Sequence, residues 1–233
     1  MLRAAAVALA LGGTAEAAEC RLALALALDV SSSVDAAEDR LQRSGLAAAL
    51  IAPEVQRAFF ASDLPVALAI YEWSGRYNQQ LILDWRLITD QNALRDAART
   101  VGQSTRSHNA FPTAIGYALG YGASLLQRAP RCLFQTLDMA GDGANNEGFG
   151  PAAAYAEFPF DGVTVNGLVV NAGEYEAEVS LIEFYRDEIL RGPGSFLEIA
   201  TGFDDYERAI RRKLERELDV PSLGALSQPG DAG

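Results

Sequence analysis

Residues 22–28 read Leu-Ala-Leu-Ala-Leu-Ala-Leu and run without a polar interruption into Asp29-Val-Ser-Ser-Ser33. Successive side chains of an extended chain point to opposite faces, so the four leucines line one face and the three alanines the other. A segment apolar on both faces is a strand in the interior of a sheet, covered on each side by helices. It is too short to cross a bilayer as a helix, which takes about 20 residues. The alanine face is thin and lets a helix pack closely. The strand delivers an acid and three hydroxyls to its C-terminal end.

The rest of the chain alternates in the same sense. Asp35 and Glu38 have the spacing of a capping box, which starts a helix that continues to about Phe60 with Pro53 as a break or new start. An apolar strand spans Leu64 to Gly75, and Gln79 to Trp85 follows so soon that the two form a hairpin with an antiparallel edge strand. Helical spacing returns over "TDQNALRDAARTVG". The polar loop "QSTRSHNAFP" then leads Thr113 into the helix "TAIGYALGYGASLLQ". "RCLFQTLDMAGDGANNEG" is a strand breaking into a Gly/Asn-rich turn. A short helix "PAAAYAEF", a strand "GVTVNGLVVNAG", a helix over Glu176 to Leu190, a strand "SFLEIATGF" and a helix "DDYERAIRRKLEREL" complete the series. Strands alternating with helices imply a doubly wound, mostly parallel α/β sheet, here six-stranded with one antiparallel edge.

The ends read differently. One arginine precedes an apolar run of about ten residues, and Ala15-Glu16-Ala17 has the Ala-x-Ala spacing of a cleavage site. Residues 1–18 are therefore expected to be a signal peptide, removed on export to the periplasm or the medium. The run is too short for a retained anchor, and Glu19 stands where a lipoprotein would carry a small residue before Cys20. The expectation is one domain over 20–219, a disordered tail over 220–233, and no stable membrane insertion after cleavage. With 31 acids against 19 Lys and Arg, the net charge of −12 repels phosphate backbones, which argues against nucleic acid as a partner.

Functional groups in such sheets collect in loops at the carboxyl ends of strands. Three loops qualify, carrying Asp29, Ser31 and Ser33, then Thr113, then Asp142-Gly143. Taken singly, Asp29 and Ser31 read as helix caps. Together, Asp-x-Ser-x-Ser, a distant Thr and an Asp-Gly closing a strand resemble the von Willebrand factor A-type (vWA) domain, in which these five positions form the metal-ion-dependent adhesion site, or MIDAS. The likeness runs from Cys20 to about Leu218 in the same element order. The "LALDVSSSVD" start, the "GDGANN" turn and the "GPGSFLEIATGFDDYERAIRRKL" ending further resemble a bacterial family of unknown function, DUF1194.

The resemblance implies that Ser31, Ser33 and, with ligand bound, Thr113 coordinate a cation directly, while Asp29 and Asp142 act mainly through water. Carboxylates and hydroxyls are hard donors that suit Mg²⁺, Mn²⁺ or Ca²⁺. Three neutral hydroxyls leave such an ion electron-poor, so the implied function is metal-dependent recognition of an acidic side chain on a protein partner. Two alternatives stand beside it: a metal-dependent hydrolase using the ion as a Lewis acid, and a structural domain with an idle site. The fold that the resemblance implies also makes the strands after Cys20 and Cys132 parallel neighbours. That places both cysteines at the opposite edge of the sheet, within reach of a disulfide.

Other chemistries find little support. His108 is the only histidine, which excludes His-based zinc sites and His-pair catalysis, and it reads as a loop residue near the site. No Gly-x-Ser-x-Gly elbow, Walker loop or Gly-x-Gly-x-x-Gly follows a strand. "DGANNE" lacks the acid a calcium loop carries at its twelfth position, where Ala153 stands, and reads as a turn. Asp138, an acid inside an apolar strand four residues before Asp142, needs either a buried donor or a supporting role beside the site. Trp73 and Trp85 read as core or edge packing.

Overall fold

The computed structural model describes residues 17–171 and 175–219. The leader expected over 1–18 lies outside these residues apart from 17 and 18, and the expected tail over 220–233 lies outside them entirely. Among the described residues no helix is long and apolar enough to cross a membrane.

The Leu/Ala segment is the centre of strand β1 (Cys20–Asp29), all ten residues of which are buried. Its neighbours, both parallel, are β2 (Val66–Trp73) and β4 (Cys132–Gly141). β3 (Gln79–Ile88) pairs antiparallel with β2, and β5 (Val163–Val170) and β6 (Leu197–Ala200) extend the other side in parallel. The order is β3-β2-β1-β4-β5-β6, a six-stranded sheet with one antiparallel edge.

Each face of β1 packs as its side chains dictate. Leu22, Leu24, Leu26 and Leu28 join a core with helices α1 (Ala36–Leu50), α2 (Pro53–Phe59), α3 (Gln91–Gln103) and α7 (Tyr206–Leu218). Each buried leucine contributes about 1.5–3 kcal/mol. Ala23, Ala25 and Ala27 meet α4 (Ile115–Gln127). That helix comes so close that a Cβ on its Gly122 would stand 2.7 Å from Leu137 and 2.8 Å from the Tyr71 hydroxyl.

α1 begins with the expected capping box, Asp35 accepting from Ala37 and Glu38 N–H while Glu38 accepts from Asp35 N–H. The break at Pro53 separates α1 from α2. The hairpin strand runs on to Ile88, three residues past the expected end, because β2 offers it pairs as far as Val66. The last strand is shorter than expected, since β5 offers β6 only Gly167–Val170. The helix expected to reach Leu190 is regular only over α6 (Tyr175–Phe184) and widens into a π-helical turn, Tyr185–Ile189. Before α7 lies a 3₁₀ turn, Phe203–Asp205, and α5 (Pro151–Glu157) is the short helix.

Cys20 pairs with Cys132 in the β1–β4 register, and the two form a disulfide with Cα atoms 4.4 Å apart. It closes the sheet end opposite Asp29.

Candidate metal centre

β1 ends at Asp29, which is fully buried. Its Oδ1 accepts the Ser31 N–H at 2.7 Å, and its carbonyl accepts Gln42 Nε2 of α1 at 2.9 Å. Ser31 Oγ lies 3.0 Å from Ser33 Oγ, which donates to Asp142 Oδ1 at 2.7 Å. Asp142 follows directly on β4. Thr113, buried before α4, has its N–H on Asn146 Oδ1 at 2.9 Å and its carbonyl on the N–H groups of Asn146 and Glu147. Its Oγ1 lies 3.5 Å from where a Cβ of Gly143 would stand. The five residues singled out in the sequence thus converge on one place, and "DGANNE" is the turn that holds Thr113 there.

Burial drives the electrostatics of this place. It pushes the Asp29 carboxyl up to about 7, with the Asp142 charge adding to the shift and the Ser31 donors and the Asp142 N–H opposing it. Asp142 is raised by burial and by Glu38, against the Ser33 hydrogen bond. Among the described residues, burial, neighbouring acids, serine donors and backbone N–H groups set these two carboxyls.

Three residues around this arrangement escaped the sequence reading. Arg106, from the loop before Thr113, donates to the carbonyls of Val34 (2.6 Å), Val30 (2.7 Å) and Ser31 (3.2 Å), and its Nε to that of His108 (2.7 Å). It ties the Thr113 loop to the serine loop. Behind it Arg43 pairs with Asp39 at 2.9 Å and with Glu72 at 2.5 Å, while Glu72 also accepts the Ser107 N–H. The third is Tyr185, whose phenol is fully buried and raised well above its usual range by burial and then by Asp29, Asp142 and Asp138. An arginine in a polar loop was the only signal for Arg106.

Asp138 has a buried cationic partner, one of the two roles that the sequence left open. It pairs in register with Leu26 on the leucine face, and its Oδ1 lies 2.6 Å from Nζ of Lys213 in α7. His108 is a loop residue, its Nδ1 2.8 Å from Ser107 Oγ and its ring 5.1 Å from that of Phe111. Trp73 is buried, and Trp85 donates to the Leu125 carbonyl at the sheet edge.

Among the described residues no group of three or more His, Cys, Asp or Glu gathers, so any cation site here must draw on hydroxyls. The donors at this place are two carboxylates and three hydroxyls, all hard oxygens. Asp29 Oδ2 is buried without a hydrogen-bond partner, a state that costs about 1–3 kcal/mol or more for a charged group. The set fits a hard divalent cation.

A mostly parallel sheet of this order, with these loops at its carboxyl end, is the fold of the von Willebrand factor A-type domain. The chain belongs to the family DUF1194, a protein family of unknown function whose model matches residues 19–222. A search by sequence among curated proteins finds no match. Among solved structures it is similar to proximal thread matrix protein 1 from the mussel byssus, in a form with a zinc-occupied MIDAS motif. There the TM-score is 0.60 at 14% identity, over 86% of this chain and 48% of that one. It is also similar to a von Willebrand factor type A protein from Catenulispora acidiphila, with a TM-score of 0.57 at 14% identity over 85% and 42%. The pilus adhesin SpaC from Lactobacillus rhamnosus GG gives 0.60 at 13% identity over 85% and 31%. The chain spans about half the length of these proteins or less, and the likeness is one of fold.

Proposed function

We propose that the protein is an exported, metal-dependent recognition domain that grips an acidic side chain of a protein partner. Ser31, Ser33 and Thr113 would hold Mg²⁺, or Mn²⁺ or Ca²⁺, directly, with Asp29 and Asp142 behind them. When bound, the ion supplies a strong positive centre for a partner carboxylate. The observation that carries the reading is the pair of raised carboxyls, Asp29 buried and Asp142 half-buried, joined through the Ser31 N–H and the Ser31 and Ser33 hydroxyls.

Two further observations support a protein ligand. Phe111 is 40% exposed and its carbonyl accepts the Ser32 N–H of the serine loop at 2.8 Å, so an apolar ring borders the site. Tyr77, 87% exposed, sits edge-on to Tyr117, which packs 4.2 Å from Phe149. Exposed aromatic rings of this kind are enriched at protein interfaces. The similar proteins named above include a pilus adhesin and a thread matrix protein, which favours binding outside the cell over catalysis.

Thermal melts of the full chain test the reading. Mg²⁺ or Mn²⁺ should raise the midpoint by several degrees over EDTA, because an ion bound only by the folded state stabilises it by mass action. Asp29→Ala should abolish the increment. An unchanged midpoint with every divalent cation sinks the proposal.

A further inference from the structure

Gly141 closes β4 one residue before Asp142. A Cβ placed on it would stand 2.5 Å from the Tyr185 hydroxyl and 2.9 Å from Asp29 Oδ2. Two atoms from different elements therefore converge on the space that only glycine leaves open. Both belong to fully buried residues, and neither has a hydrogen-bond partner. One is a donor and the other an acceptor, so each supplies what the other lacks.

The elements around them fix this approach. Tyr185 opens the π-helical turn, which closes through Leu190 N–H on the Tyr185 carbonyl at 3.0 Å. The Tyr155 hydroxyl holds the far end of the turn by donating to the Ile189 carbonyl. Single π turns inside helices are frequent at functional sites, because the wider turn re-aims one side chain.

We propose that Tyr185 is a positioning residue of the metal centre: its phenol donates to Asp29 Oδ2, directly or through one buried water, while the Ser31 N–H holds Oδ1. Asp29 is then clamped on both oxygens, and its remaining lone pairs face the serine hydroxyls in one orientation. Gly141 is required because any side chain there would separate the pair. The contact stands on geometry alone, and its effect on metal binding rests on the function proposed above.

The test is a double-mutant cycle with Tyr185→Phe and Asp29→Asn in the full chain, unfolded by urea in EDTA. Phenylalanine keeps the ring and its packing, so folding is preserved. Coupled groups give a double variant whose midpoint departs from the sum of the two single changes. Additive midpoints overturn the contact. Trp73 Nε1 is also buried without a partner and lies across from Asp29 in the β1–β2 register, so Trp73→Phe is the control donor. Coupling of Asp29 to Trp73 in place of Tyr185 likewise overturns the proposal.

Calorimetric titration with Mg²⁺ then reads the positioning role. Tyr185→Phe should bind about 10–100-fold more weakly, the usual effect of losing a group that orients a metal ligand. An unchanged Kd beside a coupled cycle removes the positioning role. Wild-type protein that binds neither Mg²⁺ nor Mn²⁺ overturns the metal centre itself, and the cycle in EDTA still judges the contact.

Discussion

Asp29 is held in a position where charge is disfavoured unless a cation arrives. Its folded value, about 7, lies above the usual unfolded value near 3.9. A carboxyl raised in this sense contributes stability that is fully present below about pH 4 and is lost as pH climbs through 7. Asp138, also at about 7, acts in the same direction. In EDTA the protein should therefore be less stable at pH 8 than at pH 5, by an amount on the order of a few kcal/mol. A divalent cation held as proposed would oppose this loss at Asp29 and Asp142 and not at Asp138, so magnesium should add more stability at pH 8 than at pH 5. Urea midpoints over pH 5–8, with and without Mg²⁺, check both signs, and an equal magnesium increment at the two ends would contradict the argument. At this scale Asp29, Ser31, Ser33, Thr113 and Asp142 could be singled out as a set only through the resemblance to the vWA pattern, since taken singly Asp29 and Ser31 read as helix caps. The hard-oxygen character of their side chains then suggested a cation. Arg106 was not, because its partners are backbone carbonyls 72–76 residues away in the serine loop, which carry no side-chain signature. Nor was Tyr185, since any tyrosine in an apolar helix reads as core.

Helix α7 is fastened to the sheet by charge as well as by its apolar face. Lys213, fully buried, lies 2.6 Å from Asp138 of β4 and 2.6 Å from Glu217 one turn further along α7. Asn166 of β5 donates to the same Glu217 oxygen and accepts the Phe196 N–H, drawing β5 and the segment before β6 into the cluster. One cation faces two acids, which is why burial and Glu217 raise Asp138 although the lysine opposes them. Lys213→Met should leave both carboxyls without a counter-charge and destabilise the fold by about 3–5 kcal/mol. Adding Asp138→Asn and Glu217→Gln to that variant should recover most of the loss, since no buried charge then remains. Urea unfolding of the two variants measures this, and a Lys213→Met variant as stable as wild type would show that the cluster does not anchor α7. Elements with strong local signals were legible, such as β1 from its two apolar faces and α1 from its capping box. β6 was overestimated because the length of an edge strand is set by what its neighbour offers, here four residues of β5. The π turn was missed because Tyr185 and Ile189 have the spacing of an ordinary helical face.

Across the whole molecule, the two ends of the sheet carry different duties. The carboxyl end gathers the loops of the candidate metal centre, and the amino end is closed by the Cys20–Cys132 bridge. Asp29 lies nine residues from Cys20 along β1, about 30 Å at the rise of an extended strand. The bridge spans 112 residues, and a loop of that size removes enough freedom from the unfolded chain to stabilise the fold by about 2–5 kcal/mol. The sheet order explains why this pairing was readable once β1 and β4 were taken as neighbours: in parallel register the two cysteines must face each other. Separation of the duties gives a clear expectation. Replacing both cysteines by alanine should lower the urea midpoint in proportion to that loss, yet leave the Kd for Mg²⁺ within about twofold, because sites this far apart with no shared partner behave additively. A substantial weakening of Mg²⁺ binding in the bridge-free protein would mean that β1 transmits strain along its length, and that the two ends of the sheet are one mechanical unit.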